Sequence, residues 1–198
     1  MKRVLVILIV GLVLVMSRGL REVAAGDHKD DEGIPQKVLA GNFATVTHGS
    51  FALCLDPKNN FAEISCSDAK AQVFPQTDVE VGNVTLDEKG NACQTTTETI
   101  SDLPVDVSPP FVTVLEVVSK QTSYDPATGS GDGTFTNYVG GKCEGVHFNN
   151  SGATVNSKGT FHFVASKDGN HFDNVTTSLT DPVGGVGDFT ESTSGQRQ

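Results

Sequence analysis

Basic residues are scarce in this sequence, which has 14 Lys and Arg against 24 Asp and Glu. Four of the basic residues and one acidic residue, Glu22, lie in the first 25 positions. Residues 26–198 therefore keep 10 basic against 23 acidic residues, a formal net charge of −13. A chain this acidic repels phosphate backbones, so nucleic acid is not an expected partner. Solubility is the plainer reason for the charge.

Long apolar runs are also missing, except near the N-terminus. Lys2 and Arg3 precede the run "VLVILIVGLVLVM", Val4 to Met16, which is shorter than the roughly 20 residues of a spanning helix. Small residues follow at 23–25, where a signal peptidase would cut. We predict a cleaved signal peptide over 1–25, a secreted or periplasmic protein and no stable membrane span after cleavage. An uncleaved anchor is the alternative.

Apolar residues do not recur at the helical period of 3.6 over any long stretch. Instead, β-branched and aromatic residues form short runs of period two, such as "VEVGNVTL", "FVTVLEVV" and "GTFHFVAS", separated by turn sequences such as "DEKGN" and "SKDGN". This pattern predicts an all-β fold, an antiparallel up-and-down β-barrel of about eight to nine strands; a sandwich is the alternative. We expect a flexible acidic segment over 26–40 and the barrel over 41–198.

Cysteine pairs with the spacing C-x-x-C are absent, so a zinc site is not expected. Four cysteines in an exported chain favour disulfides, and four allow three pairings. A Cys54–Cys66 bridge would tie down residues 56–77, an excursion between strands that we expect to contain a short helical turn. In a meander the strands that begin at Cys93 and Cys143 run the same way, so both residues would lie at one rim. Each bridge would contribute about 2–4 kcal/mol.

The nucleophile motif G-x-S-x-G is absent too, and no residue is predicted to be catalytic. In the hairpin "GTFHFVASKDGNHFDNV", 159–175, a two-residue turn at Asp168-Gly169 would place His162 and Asp173 on the face opposite the phenylalanines. These two side chains could then share a hydrogen bond. We interpret them as a surface pair on a barrel wall; a His–Asp general base is the alternative.

Metal binding is not expected either. His147, His162 and His171 would need three strands to bring their rings together, and no pair of histidines two residues apart supports such a site. No other cofactor is indicated. The sequence does not specify an oligomeric state.

The run "CQTTTETI", 93–100, lacks an apolar face. Either Gln94, Thr96, Glu98 and Ile100 point inward, or the intervening cysteine and threonines do. The first choice would create a partly polar cavity, in which Glu98 would need hydrogen bonds. The alternative is an edge or distorted strand with both faces in contact with water. Glu98 is therefore the best single candidate for a ligand-binding residue. The candidates for the apolar wall of that site are the phenylalanines at five positions: Phe135, Phe148, Phe161, Phe163 and Phe172.

The motifs "VGNVTLDEKGN", "TTTETI", "GTFTNYVGGKCEGVHF", "GTFHFV" and "GQRQ" occur in this order over residues 78–198. They resemble exported, largely uncharacterised bacterial β-barrel proteins, which are similar in plan to the allene oxide cyclase barrel and more loosely to lipocalins. The resemblance implies a closed barrel and carries over no catalytic residue. The expected function is an exported, non-catalytic barrel that binds a small molecule in its interior. The alternatives are an envelope-associated protein-interaction module and a cofactor-free isomerase or cyclase.

Overall fold

The computed structural model describes residues 33–101 and 111–198. The predicted signal peptide lies outside the described residues. A 3-10 helix, Gln36–Leu39, precedes the first strand. The strands of the described chain are β1 (Gly41–Asp56), β2 (Ala62–Glu63), β3 (Gln72–Leu86), β4 (Asn91–Ser101), β5 (Phe111–Asp125), β6 (Ser130–Val139), β7 (Lys142–Glu144), β8 (His147–Asn149), β9 (Thr154–Ala165), β10 (His171–Thr180) and β11 (Val186–Arg197).

Eight of these strands form one closed antiparallel barrel, in the order β1-β3-β4-β5-β6-β9-β10-β11. The barrel closes because β11 pairs with β1, from Phe43 opposite Arg197 to Leu53 opposite Val186. Each barrel strand is paired with the barrel strand that precedes it in the chain. The prediction of an all-β, up-and-down barrel is therefore confirmed, and the closure excludes a sandwich. Within the described residues, no helix has the length and apolar character needed to cross a membrane.

The segment 142–149 differs from the sequence prediction. It is not a barrel strand but a small hairpin of β7 and β8, in which Cys143 pairs with Phe148. Gly145 adopts a φ of 63°, which is the left-handed conformation that the tight turn requires. The ring of Phe148 packs on that of Tyr138, with centroids 4.5 Å apart. Phe148 therefore belongs to this hairpin rather than to the barrel lining.

Both predicted disulfides are present. Cys54–Cys66 joins the end of β1 to the following excursion. Cys93–Cys143 has a Cα–Cα distance of 5.6 Å and attaches the β7–β8 hairpin to β4. The prediction that strands beginning at Cys93 and Cys143 place both residues at one rim is nevertheless wrong, because Cys143 does not lie in a barrel strand. Cys93 alternates with residues that line the interior, so the bridge is made on the outer face of β4.

The excursion between β1 and β3 is shorter than the sequence predicts. It covers residues 57–71, contains the two-residue strand β2 and has no helix among these described residues. Strand β3 already begins at Gln72, although Pro75 follows three residues later. Among the described residues, pairing between β3 and β4 starts at Thr77, so Pro75 has a described neighbour only on the β1 side. The missing N–H of proline is tolerated at such a place.

One end of the barrel is filled by an aromatic core, and we call it the closed end. Here the segment 33–40, which the sequence assigns to a flexible tail, packs against the barrel: Leu39 is buried against Phe163 and Ala165. The Ile34 N–H donates to the carbonyl of Pro126 at 2.6 Å. Barrel strand β1 begins at Gly41, directly after this segment.

Phenylalanine and glycine face each other across neighbouring strands at the closed end. Each ring occupies the space that a side chain at its partner would need, which lets large rings pack inside a narrow barrel. The four pairs are Phe161 with Gly133, Phe163 with Gly131, Phe135 with Gly159 and Phe172 with Gly195. The closed end therefore supplies much of the apolar burial of the fold.

Candidate ligand-binding site

The described residues of the barrel enclose two chambers in its interior. A wide chamber of about 530 Å³ lies toward the end at which β1 ends and β3 begins. A narrow chamber of about 110 Å³ lies among the rings of the closed end. Glu80, Asn137 and Glu191 line both chambers, so these three residues mark the boundary between them.

Most of the wall of the wide chamber is apolar. Its volume falls within the roughly 300–1,000 Å³ typical of pockets for small molecules. The apolar residues of the wall come from seven of the barrel strands and from the excursion. They are Phe51, Leu53, Leu55, Phe61, Ile100, Leu115, Val139, Val155, Leu179, Val186 and Phe189, and the turn between β10 and β11 adds Pro182 and Val183.

Six acidic side chains also line the wide chamber. We call four of them the carboxylate belt: Asp78 and Glu80 on β3, Glu98 on β4 and Glu191 on β11. Asp78 and Glu80 lie two residues apart and therefore share a face of the strand. Glu98 lies directly opposite Glu80 in the β3–β4 register. Asp78, Glu80 and Glu98 can each place one carboxylate oxygen within 4.8 Å of the others.

Gly49 allows the belt to continue across β1. It pairs with Asp78 on one side and with Glu191 on the other. A Cβ atom at position 49 would collide with the carboxylate of Asp78, so that carboxylate occupies the space above the glycine. The belt therefore spans the neighbouring strands β4, β3, β1 and β11, with glycine on the one strand that contributes no carboxylate.

Burial and mutual repulsion keep protons on the belt. Burial, followed by the charges of Glu191, Glu98 and Asp78, raises the pKa of Glu80 to about 8. Burial, followed by the charges of Asp78 and Glu191, raises the pKa of Glu98 to about 7. The pKa values of Asp78 and Glu191 are raised as well, chiefly by burial.

Hydrogen bonds offset only part of this effect. Thr176 donates to Glu191 at 2.8 Å, which favours the ionised form of that carboxylate. The Thr96 hydroxyl faces Glu80 and also favours its ionised form, but it does not reach hydrogen-bond geometry. Thr96 is only 1% exposed, so its hydroxyl is a buried polar group without a partner. The described chain therefore supplies few hydrogen-bond donors to the belt.

No Lys, Arg or His belongs to the described residues that line either chamber. His48 lies on the exposed face of β1, and its charge offsets part of the rise in the pKa of Asp78 that burial causes. Arg197 lies at the closed end, where its guanidinium covers the ring of Phe43 at 4.8 Å and donates to the carbonyl of Ala40 at 2.9 Å. Within the described part of the chain, the belt therefore has no basic side chain beside it in the cavity.

The sequence left open which face of the strand that contains Glu98 points inward, and the structure places Glu98 at the inner face. Of the two open choices for "CQTTTETI", the structure has Gln94, Glu98 and Ile100 lining the interior. Four of the five candidate phenylalanines line the narrow chamber: Phe135, Phe161, Phe163 and Phe172. Phe148 does not, because it lies in the β7–β8 hairpin.

The histidines of the 159–175 hairpin lie on its outer face. His162 pairs with Asp132 at 2.9 Å, and His171 pairs with Asp173 at 3.0 Å, all with exposed side chains. The predicted His162–Asp173 contact is wrong, because Asp132 lies opposite His162 on the neighbouring strand β6. The predicted strand register is right, with Val164 opposite Asp173.

The turn of this hairpin also differs from the prediction. Only Gly169 has a positive φ, of 66°, whereas a primed two-residue turn would need one at both central positions. The Asp168 carboxylate instead accepts a hydrogen bond from the Asn170 N–H at 3.0 Å. The loop is therefore longer than two residues, with Ser166 and His171 bonded across its base.

Sequence reasoning missed Asp78, Glu80 and Glu191. In "DVEV" the usual rule turns the valines inward, yet Val79 and Val81 are 42% and 57% exposed. The misleading signal has a physical reason, since valine suits strands whether or not it is buried. The signal that could have found Asp78 and Glu80 is the alternation of acidic with β-branched residues in "DVEV", whereas Glu98 is singled out by a strand without an apolar face.

Comparison with family models, with curated proteins and with solved structures finds no match for this chain. The chemistry of the interior is therefore the basis for any function. A row of close carboxylates in a chamber with apolar walls can hold a cation, or it can move protons on a bound molecule. The three belt residues nearest one another could also contribute oxygen ligands to a metal ion.

The raised pKa values make stability depend on pH. Because folded Glu80 and Glu98 hold protons up to about pH 8 and 7, their contribution is fully present below their ordinary pKa of 4.5 and is lost as pH rises through 7–8. We expect Tm to be lower at pH 8 than at pH 5. Glu80→Gln should raise Tm at pH 8 by at least about 3 °C and change it little at pH 5.

Differential scanning calorimetry between pH 5 and pH 8 checks this expectation. Glu144→Gln, a change at an exposed site on β7, is the matched control and should leave the pH profile as it is. Asp168, whose pKa is lowered to about 2 chiefly by the Ser166 hydroxyl, titrates below this range. A Glu80→Gln variant that is less stable than the parent at pH 8 would contradict the account of the belt.

Proposed function

We propose that this chain is an exported, non-catalytic β-barrel that binds a small molecule in its wide chamber. The observation that carries the proposal is the chamber itself, about 530 Å³ of space with an apolar wall and a belt of carboxylates at its inner boundary. Binding pockets for small molecules combine apolar walls with a few polar groups in this way. Eight-stranded barrels either fill their interior with side chains or hold one small ligand.

The unequal filling of the two ends supports binding. The closed end is packed by Leu39, Phe43 and the phenylalanine–glycine pairs. The wide end is left with a chamber although apolar side chains surround it. An interaction module that works through its outer surface would not need such a chamber, so the geometry favours an interior ligand over the envelope-associated alternative.

Export is supported by the leader and by the disulfides. The charged start and apolar run of residues 1–25 have the form of a signal peptide. The bridges Cys54–Cys66 and Cys93–Cys143 are typical of oxidising compartments. The likeness of several motifs to exported bacterial barrels of the allene oxide cyclase plan agrees with this assignment.

Sequencing the N-terminus of the mature protein tests the export proposal. Because small residues occupy positions 23–25, the mature chain should begin near Gly26. A full-length chain that is recovered with the membrane fraction would contradict cleavage and would favour an anchored protein.

A cofactor-free isomerase or cyclase is the second candidate. The specific observation in its favour is that the pKa values of Glu98 and Glu80, about 7 and about 8, suit proton transfer near neutral pH. Both candidates require the wide chamber. They differ in whether a bound compound is recovered unchanged from the protein, as simple binding requires, or as an isomer.

Filling the wide chamber with a larger side chain tests the binding proposal. Thr113 lines the chamber opposite Glu98, so Thr113→Trp should occupy part of its volume. Val112 precedes it in the same strand and is 56% exposed on the outer face, which makes Val112→Trp the matched control. With the neutral fluorophore Nile red as probe, we expect Thr113→Trp to weaken binding at least about tenfold, and Val112→Trp to leave it unchanged.

Fluorescence titration gives the affinities, and circular dichroism shows whether each variant keeps the β-sheet spectrum. Absence of Nile red binding by the parent protein, or equal weakening by both tryptophan variants, would contradict an interior binding site. Leu53→Trp, at a second position of the chamber wall, keeps the test valid if Thr113→Trp does not fold.

A further inference from the structure

We propose that the ligand of the wide chamber is an organic amine, bound as a cation with its ammonium group against the carboxylate belt and its apolar body along the chamber wall. This inference rests on the proposed binding function and names the chemical class of the ligand. Its basis is the combination of acidic side chains, apolar wall and volume in one chamber.

The first argument is charge. Six acidic side chains and no basic one belong to the described residues that line the wide chamber. Asp181 is already bonded to the backbone N–H groups of a turn, Val183 and Val186 among them, each at 2.8 Å. Among the described residues, the belt has fewer such partners, and Glu191 accepts a hydrogen bond from Thr176 at 2.8 Å. Buried carboxylates in proteins are ordinarily paired with a cation, so the missing counter-charge is expected to come from the ligand or from protons.

The second argument is the unfilled hydrogen-bonding capacity beside the belt. Thr96, which faces Glu80, is 1% exposed and has a hydroxyl without a partner. An ammonium group carries three donors and no acceptor. It therefore suits a row of carboxylate acceptors that receives few hydrogen bonds from the described chain. Hydrogen bonds between an ammonium and a carboxylate are also stronger than those between neutral groups.

Size favours an organic cation over a metal ion. A metal ion would use only the space among Asp78, Glu80 and Glu98, whose ligand atoms can lie within 4.8 Å of one another. Most of the chamber, whose whole volume is about 530 Å³, would then have no role. An amine with a hydrocarbon or aromatic body uses both parts, since the rings of Phe51, Phe61 and Phe189 line the same chamber. Aromatic faces also attract cations.

The rim of the chamber adds to the attraction. Glu63 lies there on β2. Partial burial, followed by the neighbouring charge of Asp181, raises the pKa of Glu63. Together with the net charge of −13 over residues 26–198, these groups create a negative potential that concentrates cations near the entrance. Anions of the same shape are repelled by the same field, so charge selects the ligand before contact.

Three octyl compounds that differ only in the head group test the proposal at pH 8: octylamine, octanol and octanoate. Isothermal titration calorimetry should show octylamine binding at least about tenfold more tightly than octanol, and octanoate more weakly than either. Glu98→Gln should weaken octylamine at least about tenfold and leave octanol within about twofold. Glu144→Gln removes the same charge from the exposed hairpin and should change neither affinity.

The outcomes separate this inference from the proposed function. If octanol and octanoate bind as tightly as octylamine, the chamber binds ligands but the amine assignment is wrong. If none of the three binds and Nile red does not bind either, the proposed function itself fails. If Ca²⁺ or Mn²⁺ binds the parent protein at micromolar concentration and Glu98→Gln abolishes this, the belt is a metal site and the amine assignment is overturned. Glu98→Ala, which removes the carboxylate by truncation, replaces Glu98→Gln if the latter does not fold.

Discussion

Four carboxylates inside a closed barrel, with no basic side chain among the described residues that line its cavity, are the constraint on which this structure depends. A buried carboxylate must keep a proton or contact a cation, because its charge is poorly solvated in the interior. Asp78, Glu80, Glu98 and Glu191 cannot move apart, since the β-sheet register holds them on adjacent strands. Because the belt carboxylates either keep protons or contact a cation, the charge of the belt depends on pH.

The rest of the fold provides the stability that this arrangement requires. The aromatic core of the closed end and the two disulfides do not involve the belt, and the closure through β1 and β11 meets it only where Gly49 pairs with Glu191. Arg197 illustrates the separation: this interior-facing cation of the last strand interacts with backbone carbonyls and with Phe43 at the closed end. The interior thus has clustered carboxylates, which are costly to bury, at the wide end and a well-packed aromatic core at the closed end.

Much of this architecture could be predicted from the sequence, because alternation and turn residues report directly on strands. The sequence of β4 left its inward face open, because that strand has no apolar face, so Glu98 could be named only as a candidate. The inward positions of Asp78 and Glu80 were not predicted, because the usual rule would turn Val79 and Val81 of the same strand inward instead. The preference of valine for strands does not distinguish the two faces. The β7–β8 hairpin was missed because a single glycine, Gly145, reverses the chain within an otherwise regular run. The closed end is filled and the wide end contains a chamber because of contacts between side chains on strands that are distant in sequence. A local sequence pattern does not report such contacts.

The most direct measurement of the central claim is a pH titration of the side-chain carboxyl carbons by ¹³C NMR, with Glu80→Gln and Glu98→Gln used for assignment. The account predicts two glutamate carboxyls that titrate near pH 7–8 in the free protein, the values of Glu98 and Glu80. Both should titrate at lower pH when octylamine is added, because a bound ammonium favours their ionised forms. If every glutamate titrates near its ordinary value of 4.5, the belt is not buried and uncompensated, and the account of the cavity is wrong.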